Sequence, residues 1–150
     1  MKIIYTSALI PNKFDVRKTH YQESYNSLLD YFKKDDIYVV ECFSDDVSFF
    51  NELCASVYIT NTHDINIRNK GVLELSGIKK FIDTTKQEDE VFLKLTGRYK
   101  LLDNSFIKTI EENKGYDFYG RLVDNKTQVF TGCFAIKRLY FKRVFGICRP

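Results

Sequence analysis

Two periods of apolar residues alternate along the chain. Lys2–Ala8 (KIIYTSA), Ile37–Cys42 (IYVVEC), Ser56–Thr60 (SVYIT) and Val91–Leu95 (VFLKL) are short apolar runs rich in β-branched and aromatic residues, and each predicts a strand. Between them, Tyr21, Tyr25, Leu28, Leu29 and Phe32 recur at helical spacing, as do Val72, Leu75, Ile78 and Ile82 within residues 70–82. Ser44-Asp45-Asp46 predicts the cap of a short helix through Phe49, Phe50 and Leu53, and Asp103–Glu112 predicts another that ends near Gly115. Tyr116–Leu122 returns as a strand, and Gln128–Ile136 is an apolar run broken in its middle by Thr131-Gly132. Strands alternating with helices predict an α/β fold with a Rossmann-like, mostly parallel sheet flanked by helices. Neither a repeat nor a linker interrupts the pattern, so residues 1–150 read as one domain.

Composition narrows the classes. The 150 residues are 44% hydrophobic and 29% charged, enough apolar surface for a core and too much for disorder. A net charge of +3 permits an anionic ligand or membrane headgroups but does not argue for nucleic acid, and no nucleic-acid partner is expected. Cys42, Cys54, Cys133 and Cys148 form no Cys-x-x-Cys pair, which fits reduced thiols in a cytoplasmic protein. No run approaches the roughly 20 apolar residues of a membrane span. His20 and His63 are isolated and lack metal-ligand spacing.

In an open α/β sheet, ligands bind beyond the carboxyl ends of the strands. That rule gathers Thr6 and Ser7 after the first strand, and Glu41, Ser44 and Asp45 after the second. It adds Asn61 to Asp64 and Arg68 to Gly71 after the third, and Thr96-Gly97-Arg98-Tyr99 after the fourth. Arg98 has the fork that grips phosphate oxygens. Gly97 allows close backbone approach, and Asn69-Lys70-Gly71 opens a helix whose free N–H groups favour an anion. A nucleoside diphosphate suits such a rim. The plain alternative pairs Arg98 with Asp103 or Asp117 and leaves Gly97 as a simple turn.

Three strings in order, Asn69-Lys70-Gly71, Lys94-Leu95-Thr96-Gly97-Arg98-Tyr99 and Phe130-Thr131-Gly132-Cys133-Phe134-Ala135, resemble a group of GT-A-type glycosyltransferases found in bacterial polysaccharide loci and large DNA viruses. The resemblance spans roughly residues 1–145. It implies a GT-A-like domain and transfer of a sugar from a nucleotide-diphosphate-sugar donor to a hydroxyl acceptor, a glycan or lipid-linked saccharide. In such enzymes an Asp-x-Asp motif after the fourth strand usually holds a divalent metal such as Mn²⁺. Here Thr96-Gly97-Arg98 takes that place and no Asp-x-Asp triplet occurs. Metal dependence stays open, with Arg98 the candidate for the missing positive charge. The resemblance also implies that Thr6 and Ser7 approach the nucleoside, Glu41 accepts from ribose or base, and Asp64 binds a nucleoside edge. Asn69 and Lys70 then lie near the diphosphate, while Thr96, Gly97, Thr131 and Gly132 line the donor or acceptor pocket. Asp117 and Asp124 are equal candidates for the base.

The chain is short for that group, which leaves a minimal enzyme or a C-terminally truncated one, and a non-catalytic nucleotide- or partner-binding domain is the alternative function. The tail Lys137–Pro150 alternates basic and aromatic residues. It suits peripheral contact with an anionic membrane, or a terminal helix packed on the core.

Overall fold

In a computed structural model of the chain, residues 1–10, 13–53, 56–60, 70–85, 90–123 and 129–145 are described. Six strands form one sheet: β1 (Lys2–Ser7), β2 (Ile37–Glu41), β3 (Val57–Ile59), β4 (Val91–Thr96), β5 (Phe118–Leu122) and β6 (Val129–Lys137). Their order is β3-β2-β1-β4-β6-β5. β1 to β4 run parallel; β6 runs against β4, and β5 against β6. Helices α1 (Phe14–Leu29), α2 (Ser48–Leu53), α3 (Lys70–Thr84), α4 (Ser105–Glu112) and α5 (Arg138–Phe145) connect or follow the strands. The α/β expectation holds.

Period-two alternation divides the core into two layers. Ile3, Tyr5, Val39, Leu93, Leu95 and Ala135 face one layer with Tyr21, Tyr25 and Leu28 of α1, Phe50 of α2 and Ile107 and Ile110 of α4. Ile4, Val40, Phe92, Phe134 and Ile136 face the other, with Ile78, Phe81 and Ile82 of α3 and Phe141 of α5.

Several boundaries differ from the sequence pattern for local reasons. α1 spans Phe14–Leu29, beginning two turns before the first residue of the apolar series and ending before its last, Phe32. α2 begins at Ser48, because Ser44 Oγ accepts from the Asp46 N–H and Asp46 Oδ1 from the Ser48 N–H, which makes residues 44–47 a turn. Thr131-Gly132 does not break β6, which runs unbroken through it. A Cβ at Gly132 would lie 2.8 Å from the Tyr99 ring and closer still to that of Phe130, so the glycine makes room for an aromatic pair, not a turn. The described part of the tail forms α5. Phe141 is fully buried against α3, and the Arg138 guanidinium donates to the carbonyls of Ile82 and Thr85 at the end of that helix. The expected alternation thus serves the core at Phe141 and a helix terminus at Arg138. No helix among the described residues is long and apolar enough to cross a membrane.

Candidate functional site

Because β6 is antiparallel to β4, its first residues meet the carboxyl ends of β1 and β4 on one rim. A cleft of about 320 Å³ opens there, lined by Thr6 and Ser7 at the end of β1 with Ala8 beyond it, Thr96 at the end of β4 with Arg98 beyond it, and Thr131 of β6. Arg17 and Tyr21 of α1 form one wall; Gly71, Leu73 and Glu74 from the start of α3 form the other.

The turn that carries Arg98 is fixed from several directions. The Gly97 N–H donates to the Thr6 carbonyl at 2.8 Å, and the N–H groups of Arg98 and Tyr99 both reach back to Thr96. The buried Tyr5 hydroxyl is shared between the carbonyls of Gly97 and Tyr21, 2.8 and 2.9 Å away. Ser24 Oγ donates to the Tyr99 carbonyl, and Ser27 Oγ accepts from the Leu101 N–H at 3.0 Å. A Cβ on Gly97 would lie 2.6 Å from the Tyr21 ring and 2.8 Å from the Thr6 carbonyl oxygen. The glycine is therefore required by tight packing of the turn on α1 and β1, whereas the sequence suggested room for a ligand. On this rigid turn the Arg98 side chain is exposed, and among the described residues it forms no ion pair with Asp103 or Asp117. Asp103 accepts from Ser105, and Asp117 pairs with Lys137. On the same side of the cleft, Arg17 donates to the Ala8 carbonyl at 3.2 Å. Burial raises the pKa of the Tyr21 hydroxyl, while its bond to the Ala8 carbonyl and the nearby Arg17 and Arg98 pull the other way.

Beneath the cleft lies a charged network. Lys94 is 1% exposed, on the β4 face that α3 covers. Its ammonium donates to Thr96 Oγ1 and the Thr131 carbonyl and lies 2.9 Å from Glu74 Oε1. The same carboxylate oxygen accepts from Thr6 Oγ1 and, at 3.0 Å, from Thr96 Oγ1. Desolvation lowers the Lys94 pKa, with Glu74 opposing it. The Glu74 side chain keeps 23% of its surface and lines the cleft.

Other expected site residues have different positions. Glu41 is fully buried. Its carboxylate accepts from Ser7 Oγ at 2.5 Å and from the N–H groups of Leu9, Phe43 and Ser44 at 2.8–3.0 Å. Four donors occupy it, so it organises the loops after β1 and β2 and is closed to a ribose or base; the Ser7 hydroxyl is committed with it. Thr6, Thr96 and Thr131 do line the cleft, with both threonine hydroxyls of β1 and β4 turned onto Glu74. Asp117 departs furthest. The N–H of Lys137, which pairs with Val91 at the end of the β4–β6 ladder, donates to its carbonyl, and its side chain pairs with Lys137 at 2.9 Å. It stands at the end of the sheet opposite the cleft, because β5 runs in the same direction as β4 and begins there. Lys70 opens α3, with its side chain outside those described; Asp64, Asn69 and Asp124 lie outside the described residues.

The sequence reading missed Glu74, Arg17 and the role of Lys94. The signal for Glu74 was Lys94 itself, since a lone ammonium in a buried strand requires a carboxylate on the covering helix. A divalent ion needs several hard, anionic oxygen donors. Among the described residues the cleft offers one carboxylate, already neutralised by Lys94, and no group of three or more His, Cys, Asp or Glu side chains that suits a metal. The described residues do not fit such an ion.

No protein-family model and no curated protein sequence matches the chain. Solved structures share its architecture. A cytidylyltransferase from Leptospira borgpetersenii aligns over 99% of this chain with a TM-score of 0.62 and 13% identity. The galactosyltransferase LgtC, solved with donor and acceptor sugar analogues, aligns over 95% with a TM-score of 0.61 and 11% identity. Mouse xyloside xylosyltransferase 1 aligns over 97%, at 0.55 and 10%. The fold is GT-A-like. The chain spans 65%, 60% and 69% of the lengths of these three proteins, so the GT-A-like frame is shared and the remainder of each is not.

Proposed function

We propose that the cleft binds a nucleotide-diphosphate-sugar and that the protein transfers the sugar to a hydroxyl acceptor on a glycan or lipid-linked saccharide. The observation that carries this reading is Arg98: a guanidinium held on a rigid turn at the carboxyl end of β4, facing a cleft, with no carboxylate partner among the described residues. In the transfer, the acceptor oxygen bonds to the anomeric carbon as the bond to the β-phosphate oxygen breaks. The acceptor's proton passes to a base, for which Asp124 is the remaining sequence candidate, and the nucleoside diphosphate leaves. A preorganised guanidinium beside that leaving group stabilises its developing charge, and loss of such a donor costs on the order of 10²–10³ in rate. The string resemblance and the transferase fold of the neighbours support the reading.

The test is a thermal-shift titration with UDP, GDP, CDP and CTP, with and without Mn²⁺, on the wild type and Arg98→Ala. CTP is included because one structural neighbour is a cytidylyltransferase. One diphosphate should raise the melting temperature of the wild type alone. No shift with any nucleotide would overturn the reading.

A second reading, nucleotide binding without transfer, is favoured by the position of Asp117 at the far end of the sheet. It predicts a thermal shift without release of nucleoside diphosphate from sugar donors in the presence of saccharide acceptors.

A further inference from the structure

The cleft is electrostatically two-sided. Arg17 and Arg98 act together on the Tyr21 hydroxyl on the α1 side, while the lining carboxylate, Glu74, stands on the α3 side. Glu74 is held asymmetrically. Its Oε1 receives Thr6 Oγ1, Thr96 Oγ1 and Lys94 Nζ, whereas its Oε2 takes no hydrogen bond among the described residues. A carboxylate with one oxygen saturated by a buried ammonium and two hydroxyls is fixed in orientation. Its second oxygen is a strong, aimed hydrogen-bond acceptor at the cleft wall.

We propose that Glu74 Oε2 accepts a hydrogen bond from a ligand hydroxyl, so that the cleft reads the polyhydroxyl part of its ligand on the α3 side and the phosphates on the arginine side. Lys94 is the positioning residue: it ties Glu74 to Thr96 and, through the Thr131 carbonyl, to β6. The inference rests on the nucleotide-sugar reading for the identity of the ligand, but not for the role of Glu74. The hydroxyl belongs either to the ribose or to the transferred sugar; both present the same chemistry.

The experiment compares dissociation constants of UDP, GDP and CDP, their 2′-deoxy counterparts, and UDP-glucose, for the wild type and Glu74→Gln. Glu74→Gln/Lys94→Met, which removes the ammonium left unpaired, serves if the single variant fails to fold. If the ribose is read, the wild type should prefer a ribonucleotide over its deoxy form by about tenfold or more, the size of one charged hydrogen bond, and the variants should lose that preference. If the sugar is read, the preference is for UDP-glucose over UDP and disappears in the same variants. Diphosphate binding with every ratio unchanged in the variants overturns the inference and leaves the nucleotide reading intact. Should no nucleotide bind the wild type, the nucleotide reading fails. Uridine and glucose, titrated alone, then decide the role of Glu74: binding lost in the variants supports it, and no binding overturns it. Lys94→Met must lower affinity for the hydroxylated ligand and leave that for its deoxy form nearly unchanged; an equal loss for both would reduce Lys94 to a purely structural role.

Discussion

At the amino ends of the parallel strands, Lys2 pairs with Asp36 at 2.8 Å and Lys137 with Asp117 at 2.9 Å, all partly exposed, and Arg138 closes the end of α3. At the carboxyl ends, Glu41 and Lys94 are withdrawn from water into networks that gather four donors and three acceptors respectively, and Glu74 and Arg98 remain open to the cleft. Charges at the first end satisfy one another in solvent, where screening leaves such pairs worth little. Those at the second end are buried at a cost that only complete hydrogen bonding offsets, and they hold loops and side chains in place around groups open to the cleft. Charge paired in solvent and charge gathered around the cleft are thus separated by the length of a strand.

The contrast breaks hardest at Glu41. Glu41→Ala should strand three N–H groups and the Ser7 hydroxyl, lowering the unfolding free energy by at least about 3 kcal/mol in chemical denaturation. A loss below 1 kcal/mol would mean that water replaces the carboxylate and that this end is less sealed than described. Next comes Gly97→Ala, whose methyl meets Tyr21 and the Thr6 carbonyl; a loss of about 1–3 kcal/mol is expected. Gly115→Ala is its control. Nothing lies within 4 Å of that Cβ, so the same change should be neutral or stabilise by up to about 1 kcal/mol.

Lys94 gives a smaller, pH-dependent effect. Burial holds its pKa below the ordinary 10.5. Between that lowered value and 10.5 the unfolded chain holds the extra proton, so this group's contribution to stability rises with pH and is lost again as pH falls through the folded value. Unfolding curves of the wild type and Lys94→Met, compared as the pH is raised toward 10.5, should diverge in favour of the wild type; parallel curves would contradict a desolvated ammonium. Smallest of all is Asp117→Asn. Its carboxyl is held below the usual range by the hydrogen bond from Lys137, in solvent. Loss of the charge should leave both the melting temperature and nucleotide binding nearly unchanged, and a collapse of binding would put Asp117 back among the site residues.

The two periods of apolar residues, with the rule for strand ends, sufficed for the helix–strand alternation and for the rim on which Thr6, Thr96 and Arg98 meet, while Thr131 came from the string resemblance. They were insufficient where a residue's partners are backbone groups or distant side chains. Glu41 looked available because the N–H groups of Leu9, Phe43 and Ser44 carry no mark in the sequence. Gly97 looked like room for a ligand and Gly132 like a break in the strand because the rings that fill their space come from α1 and from either side of the β4–β6 junction. Asp117 looked available because strand direction, set by the antiparallel β6, decides which end of β5 reaches the cleft.

The central position of β1 also has a consequence for synthesis. Its register joins Lys2 to Phe92 and Thr6 to Thr96, so β1 leaves the ribosome about ninety residues before the strand that closes its second edge. Until then it pairs with β2 alone, and the Thr6 carbonyl lacks the Gly97 N–H of the turn that carries Arg98. Pairing across so long an interval is slow. The nascent chain therefore presents an open apolar edge for most of its translation, a natural substrate for chaperones, and the cleft is among the last parts of the molecule to form.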